Sequence, residues 1–216
     1  MTDELRVTDL NPTRRGRMSL FVNGEFQFSL DLETLAKSGL SVGDTLSQSA
    51  LADLREQSDE RRAKDKALNY LSLRAYGSAE LSQKLCRVFD EDTAAAAVAE
   101  MARLGLLDDE AFARRRAAWW QQQGKSTRDI RAKLLALGLP RDLIDAALGS
   151  LAGDADEAAL RRVIEKQYLA KLARGEREKV LAALARRGFS PRLARAVLAD
   201  YTQNEAGPDP ATLFDC

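Results

Sequence analysis

Histidine is missing from this chain of 216 residues. Its absence excludes Ser-His-Asp triads, histidine general bases and histidine-ligated metal sites. Cysteine is nearly missing: Cys86 lies inside a helical pattern and Cys216 is the last residue. Two distant thiols cannot build a structural zinc site. They read as one cysteine filling a core gap and one on a tail, in a reducing cytoplasm. Aromatic residues make up only 6% of the chain, so its cores must be small and filled by Leu, Ala and Val. No apolar run approaches the roughly 18 to 20 residues of a membrane span. The start, Met1-Thr2-Asp3-Glu4, has no apolar run, so no signal peptide is expected. No glycine-rich phosphate loop follows a strand and opens a helix. These absences leave an enzyme little to work with, and no catalytic residue, cofactor site or metal ligand is assigned.

Net charge is also absent, at zero overall, but it is unevenly distributed. Residues 1–60 carry 6 basic and 11 acidic side chains, and residues 61–203 carry 27 basic and 19 acidic. The last 13 residues carry 3 acids and no base. A basic helical body between acidic ends suits approach to nucleic acid or to an acidic protein surface. It equally suits long helices coated in Arg and Glu for solubility.

What is present is a repeat. Gly105-Leu106-Leu107-Asp108-Asp109 opens a basic helix on acids, where exposed amides favour negative charge. That helix runs through Trp119-Trp120 to a stop at Gly124, and Ser126 is placed to cap the next one. Ile130, Leu134 and Leu137 then share one face, and Gly138 ends the unit. Leu81 and Leu85 precede the Ile130–Leu134 pair by 49 residues, and Val180 and Leu184 follow it by 50. Gly138-Leu139 is matched by Gly188-Phe189. The fold class expected is mainly α, a tandem array of three three-helix units resembling helix-turn-helix repeats and stacked into an elongated body. Repeat 1 is assigned to 61–107, repeat 2 to 108–152 and repeat 3 to 153–203. Residues 204–216, with Pro208 and Pro210, form an acidic tail expected to be disordered.

Residues 1–60 read differently, as a small β-hairpin module and a linker helix. Met18 to Val22 and Glu25 to Leu30 are expected strands around Asn23-Gly24, a strong two-residue hairpin signal. A regular register sets Phe21 opposite Phe26 and Ser19 opposite Phe28, giving one aromatic face that needs covering. Asp31 to Ser38 reads as a short helix closed by Gly39, and Val42 to Leu46 as a third strand. The charged middle of the helix from Ser47 to Ala75 reads as a solvated linker.

The residues of the repeats resemble the RecX family, bacterial regulators of the RecA recombinase. The likeness rests on Leu71-x-x-Arg74 with Glu80-Leu81-x-x-Lys84-Leu85. It continues in Gly105-x-Leu107-Asp108-Asp109-x-x-Phe112-Ala113, Ile130-x-x-x-Leu134-x-x-x-Gly138 and Arg186-Arg187-Gly188-Phe189. It covers about residues 62–201. Three positions depart from the family pattern: Gly77 in place of a capping Ser, Arg116 in place of an aromatic, and Lys133 in place of a frequent acid. The resemblance implies a non-enzymatic regulator, a monomer with no membrane association, that lies along a RecA–DNA filament. There it restrains ATP turnover, strand exchange and repressor cleavage, and so modulates recombination and the SOS response. The competing expectation is a helical DNA-binding protein that acts without RecA.

Candidate contact residues follow from helix facing. Arg114 and Arg115 point outward, Arg116 falls on the Phe112 side as a packing residue, and Trp119 is an interface anchor beside a core Trp120. Lys125, Arg128 and Arg131 lie away from the Ile130 stripe. With Arg114 and Arg115, the pair Arg128 and Arg131 is expected to form one central patch against phosphate or an acidic partner. Arg174, Arg177, Arg186 and Arg187 make a second basic cluster in the third repeat. Asp108 and Asp109 are read as helix caps rather than metal ligands.

Overall fold

The computed structural model describes residues 4–14, 16–151 and 153–203, with 202 and 203 described by their backbone alone. The acidic tail from 204 on lies outside the described residues. Two compact units divide the chain, 1–108 and 109–216.

The first unit begins with β1 (Leu5–Pro12), β2 (Met18–Val22) and β3 (Glu25–Leu30), then α1 (Leu32–Ser38) and β4 (Thr45–Leu46). The strands form one antiparallel sheet in the order β3-β2-β1-β4. Asn23 and Gly24 turn the hairpin with φ of 51° and 82°, the two positive angles that a type I′ turn demands. Asn23 also holds β1, since its Oδ1 accepts the Arg6 amide at 3.0 Å and its Nδ2 donates to the Glu4 carbonyl at 3.2 Å. The regular hairpin register does not hold throughout. Phe21 pairs with Phe26 as expected, but Phe28 pairs with Leu20 and Ser19 with Ser29. Gln27 is thus an extra residue in β3, a bulge that separates two aromatics which a regular strand keeps on one face. The buried face is aliphatic instead, with Val7, Leu20, Val22 and Leu30 closing on Leu51.

Helix α1 is capped by the Asp31 carboxylate and ends at Gly39, as the sequence predicts. Helix α2 (Gln48–Leu73) is not a solvated linker. Its Leu51 belongs to the sheet core, and its Ala63 and Ala67 belong to the next one. Between them Ser58 is buried, donating to the Ser29 carbonyl at 3.1 Å and accepting from Arg17 at 3.0 Å. Of the charges around it, Arg55 covers the Phe28 ring at 5.0 Å, Arg62 covers the Phe89 ring at 5.4 Å, and Arg61 pairs with Glu33 of α1. A division at 60/61 therefore cuts through one continuous helix.

Helices α3 (Ser78–Leu85) and α4 (Glu91–Arg103) complete the first three-helix core with the second half of α2. Leu81 and Leu85 are fully buried there, and Arg74 grips Glu80 with two hydrogen bonds while covering the Tyr76 ring at 3.6 Å. Cys86 fills no core gap: it is exposed. It stands one residue past Leu85, about 100° round the helix from the buried stripe.

The second unit holds α5 (Asp109–Gln122), α6 (Thr127–Ala136) and α7 (Arg141–Gly149) around one core. Around another it holds α8 (Ala155–Gln167), the short α9 (Leu169–Leu172), α10 (Arg177–Arg186) and α11 (Pro191–Gln203). Ile130 and Leu134 in α6, and Val180 and Leu184 in α10, are fully buried at matching positions. The molecule is thus mainly helical, with a small antiparallel sheet at its front.

Candidate functional site

A concavity of about 770 Å3 in the second unit lies where the α5–α6 turn and α6 meet the end of α10. Among the described residues it gathers four cations, Lys125 and Arg128 from repeat 2 and Arg186 and Arg187 from repeat 3, with Gln123, Gln167 and one acid, Asp129.

The chain builds this groove from its helix stops. After α5 the Lys125 amide reaches back to the Trp120 carbonyl and the Gly124 amide to Gln121, both at 3.0 Å. After α10 the Phe189 amide reaches Leu184 at 3.2 Å and the Gly188 amide Ala185 at 2.9 Å. Both stops put a glycine at positive φ, the residue such a closure prefers. Both glycines are also pressed by a neighbour. A Cβ on Gly124 would stand 2.7 Å from the Val163 side chain, and one on Gly188 would stand 2.6 Å from Ser126 Oγ. Ser126 caps α6 by accepting the Asp129 amide at 3.2 Å, and its hydroxyl donates to the Arg187 carbonyl at 2.9 Å. Thr127 adds two donors, its amide and its hydroxyl, onto Asp156 Oδ1 at 2.6 and 2.7 Å. The start of α6 is thereby fixed against both α8 and the α10–α11 turn, which sets Arg128 beside Arg187.

The cations are differently engaged. Arg128 and Arg186 are exposed and make no ion pair among the described residues. Arg187 hydrogen-bonds Gln167 and lies over the Tyr168 ring at 5.5 Å. Lys125 approaches Asp129 at 3.7 Å, and Lys133 approaches the same carboxylate at 4.0 Å. Exposed pairs at these distances hold the side chains weakly.

The other sequence candidates stand apart from the groove. Arg114 pairs with Glu110 along α5, and Arg131 pairs with Asp145 of α7. Arg115 is exposed and does not line the groove. Of the expected patch of Arg114, Arg115, Arg128 and Arg131, Arg128 alone lines the groove, where it joins Arg186 and Arg187. The reason is the packing of repeat 3 onto the α5–α6 turn, which a reading of one repeat at a time does not contain. Arg174 pairs with Glu176 at 3.3 Å, and Arg177 donates to the Arg195 carbonyl at 3.4 Å. Trp119 is 49% exposed, with Trp120 behind it at 6.4 Å between rings. Arg116 lies over Phe112 at 5.5 Å and close to both tryptophans, as a packing residue. Gln123 and Gln167 were not anticipated, since nothing in a glutamine's sequence position marks a groove wall.

Comparison with known proteins places these features. The model of the RecX first three-helix domain matches residues 63–101, and that of the second three-helix domain matches 108–148. The regulatory protein RecX of Lactobacillus delbrueckii subsp. bulgaricus is 33% identical over 193 residues, spanning 87% of this chain and 71% of that protein. That of Listeria monocytogenes is 24% identical over 224 residues, spanning 97% and 81%. A crystal structure of regulatory protein RecX superposes with a TM-score of 0.65 at 20% identity, covering 90% of this chain and 99% of that one. The structure of RecX from Lactobacillus salivarius gives 0.58 over 66% of this chain and 96% of that one. With a third of its residues shared along most of both chains, and two of its three-helix units matched in order, this protein belongs to the RecX family of regulatory proteins.

Proposed function

We propose that this protein regulates a RecA-type recombinase by binding along the recombinase–DNA filament, and that it restrains ATP hydrolysis, strand exchange and filament-dependent repressor cleavage there. The observation that carries the reading is the groove between repeats 2 and 3. Its four cations come from two repeats, and the Ser126 cap of α6 ties the main-chain segments that carry Arg128 and Arg187 to one another. Such a site suits a phosphodiester backbone held at the filament surface, with binding that weakens steeply as salt rises.

A DNA-binding protein acting by base recognition is less well supported. In a helix-turn-helix fold the recognition helix offers its N-terminal residues to the bases. Here α4 opens on Asp90-Glu91-Asp92, and α7 carries Asp142 in its first turn and Asp145 beyond. Those carboxylates repel a phosphate backbone.

The test is a double reversal, Arg128→Glu with Arg187→Glu. Both side chains are exposed, and the Arg187 group that holds Ser126 is its main-chain carbonyl, so the melting temperature should stay close to wild type. Inhibition of recombinase ATPase should fall sharply. The slope of log affinity against log salt should decrease by about 1.4 to 1.8, because each phosphate left without its arginine removes roughly 0.7 to 0.9 from it. A normally folded double variant that inhibits like wild type rules the groove out as the contact surface.

A further inference from the structure

The first unit carries a cleft of about 610 Å3 beside its sheet, lined by Arg14, Arg17, Arg62, Phe26, Gln27 and Phe28 among others, with no acid among the described lining residues. The unit around it is net acidic, with 14 basic and 18 acidic residues in 1–108. The three lining arginines are thus a local exception to that acidic surface, although Asp59 pairs with Arg62 and Asp31, Asp59 and Asp65 also act on Arg17.

The bulge at Gln27 gives the cleft its second property. It turns Phe26 away from Phe28 and leaves Phe26 56% exposed. Phe21 steadies that ring by an edge contact, with centroids 5.7 Å apart and planes at 66°. Phe28 is occupied, its face covered by Arg55 at 5.0 Å. Bulges that re-aim a side chain are frequent beside functional sites.

Two of the three cations are held in advance. Arg17 donates to the Ser29 carbonyl and to Ser58 Oγ, which anchors one end of a guanidinium that has five N–H donors. Arg62 pairs with Asp59 and rests on Phe89 at 5.4 Å. Burial, and then the charge of Arg62, pull Arg17 below its ordinary pKa. Arg14 is exposed at the turn from β1 to β2.

We propose that this cleft is a subsite for single-stranded nucleic acid, in which Phe26 stacks on a base and Arg14, Arg17 and Arg62 hold the flanking phosphates. A ring beside fixed guanidiniums is the arrangement that binds unpaired strands without reading their sequence. A base inside a duplex has both faces stacked and cannot use Phe26. An acidic peptide would satisfy the arginines but gives the exposed ring no role. The inference stands apart from the recombinase reading, because it concerns a different unit and different residues.

The test uses the full chain and fluorescence anisotropy with three labelled probes at low salt: an oligothymidylate, an abasic oligomer of equal length, and a duplex. Phe26→Ala should weaken oligothymidylate binding about tenfold, leave the abasic oligomer and the duplex unchanged, and melt like wild type. Phe26→Trp should restore or tighten the oligothymidylate, and Arg14→Glu should weaken it together with the abasic probe. No aromatic side chain is among the described residues that line the groove of the second unit. Reversing Arg128 and Arg187 should therefore weaken oligothymidylate and abasic probes alike, which keeps a failure of that site distinguishable from a failure of this one. The inference is overturned if Phe26→Ala binds oligothymidylate as wild type does, or loses both probes equally. An aspartate-rich peptide that displaces the oligothymidylate in a Phe26-dependent way would make the cleft a peptide site instead.

Discussion

At Gly188 only a hydrogen separates two repeats. Its φ of 87° alone disfavours any L side chain, at about 1 to 2 kcal/mol for an alanine. The methyl would also meet Ser126 Oγ at 2.6 Å. That hydroxyl is buried, caps α6 and holds the Arg187 carbonyl. Ser126→Ala should cost about 1 to 3 kcal/mol by removing the cap and stranding a carbonyl. Gly188→Ala should cost more than its backbone angle explains. The two changes share one contact, so they should couple by about 0.5 kcal/mol or more, the double variant being less destabilised than the sum. Urea unfolding of the four proteins measures this. Additivity within about 0.3 kcal/mol would mean that the methyl and the hydroxyl never meet. The same scale separates Arg128 from Arg131, three residues apart on α6. Asp145 engages the second, while the groove leaves the first open to a ligand.

Among the elements, α4 shows how a helix start depends on one side chain. Asp90 accepts the Thr93 amide and the Thr93 hydroxyl, both at 2.8 Å. These bonds hold its carboxyl below the usual range, the amide contributing first. Asp31 does the same for α1: burial raises it, but the Thr34 amide and hydroxyl outweigh that and leave it lowered. A carboxyl with a depressed native pKa stabilises the fold above its unfolded value, near pH 4, and that stability drains away as pH falls through the native value. The melting temperatures of wild type and Asp90→Ala should therefore differ most at pH 7 and converge below about pH 4. A constant gap down to pH 2 would show that the charge contributes nothing to the cap. Caps and stops of this kind were legible in the sequence, because Asp31, Gly39, Gly124, Ser126 and Gly138 act through their nearest neighbours in the chain. The buried pairs of the three middle helices were legible through their periodicity. Strand β1 was not, because Leu5 to Pro12 lacks clean alternation and is held partly by Asn23 from across the sheet. The bulge at Gln27 was not, since the register is decided by which residues the core accepts. The groove was half legible: its cations were named, but their grouping depends on packing between repeats.

For the whole molecule, a net charge of zero conceals a division that follows the two units. Residues 1–108 sum to −4 and residues 109–216 to +4, the latter including an acidic tail of −3. Without 204–216 the second unit would stand at +7 while its groove kept every cation. Net charge acts on encounter more than on the docked state, because the summed field reaches only about a Debye length and steers the approach. Ending the chain after Gln203 should thus accelerate association with a polyanionic DNA filament at low ionic strength and leave dissociation almost unchanged. The advantage should shrink as salt rises to about 0.3 M, where screening acts within roughly 6 Å. Stopped-flow association at several salt concentrations checks this, with melting temperature as the control for folding. Equal rates for both chains at low salt would mean that the tail's three charges lie beyond the steering field. A slower dissociation that persists at high salt would instead mean that the tail competes directly for the groove.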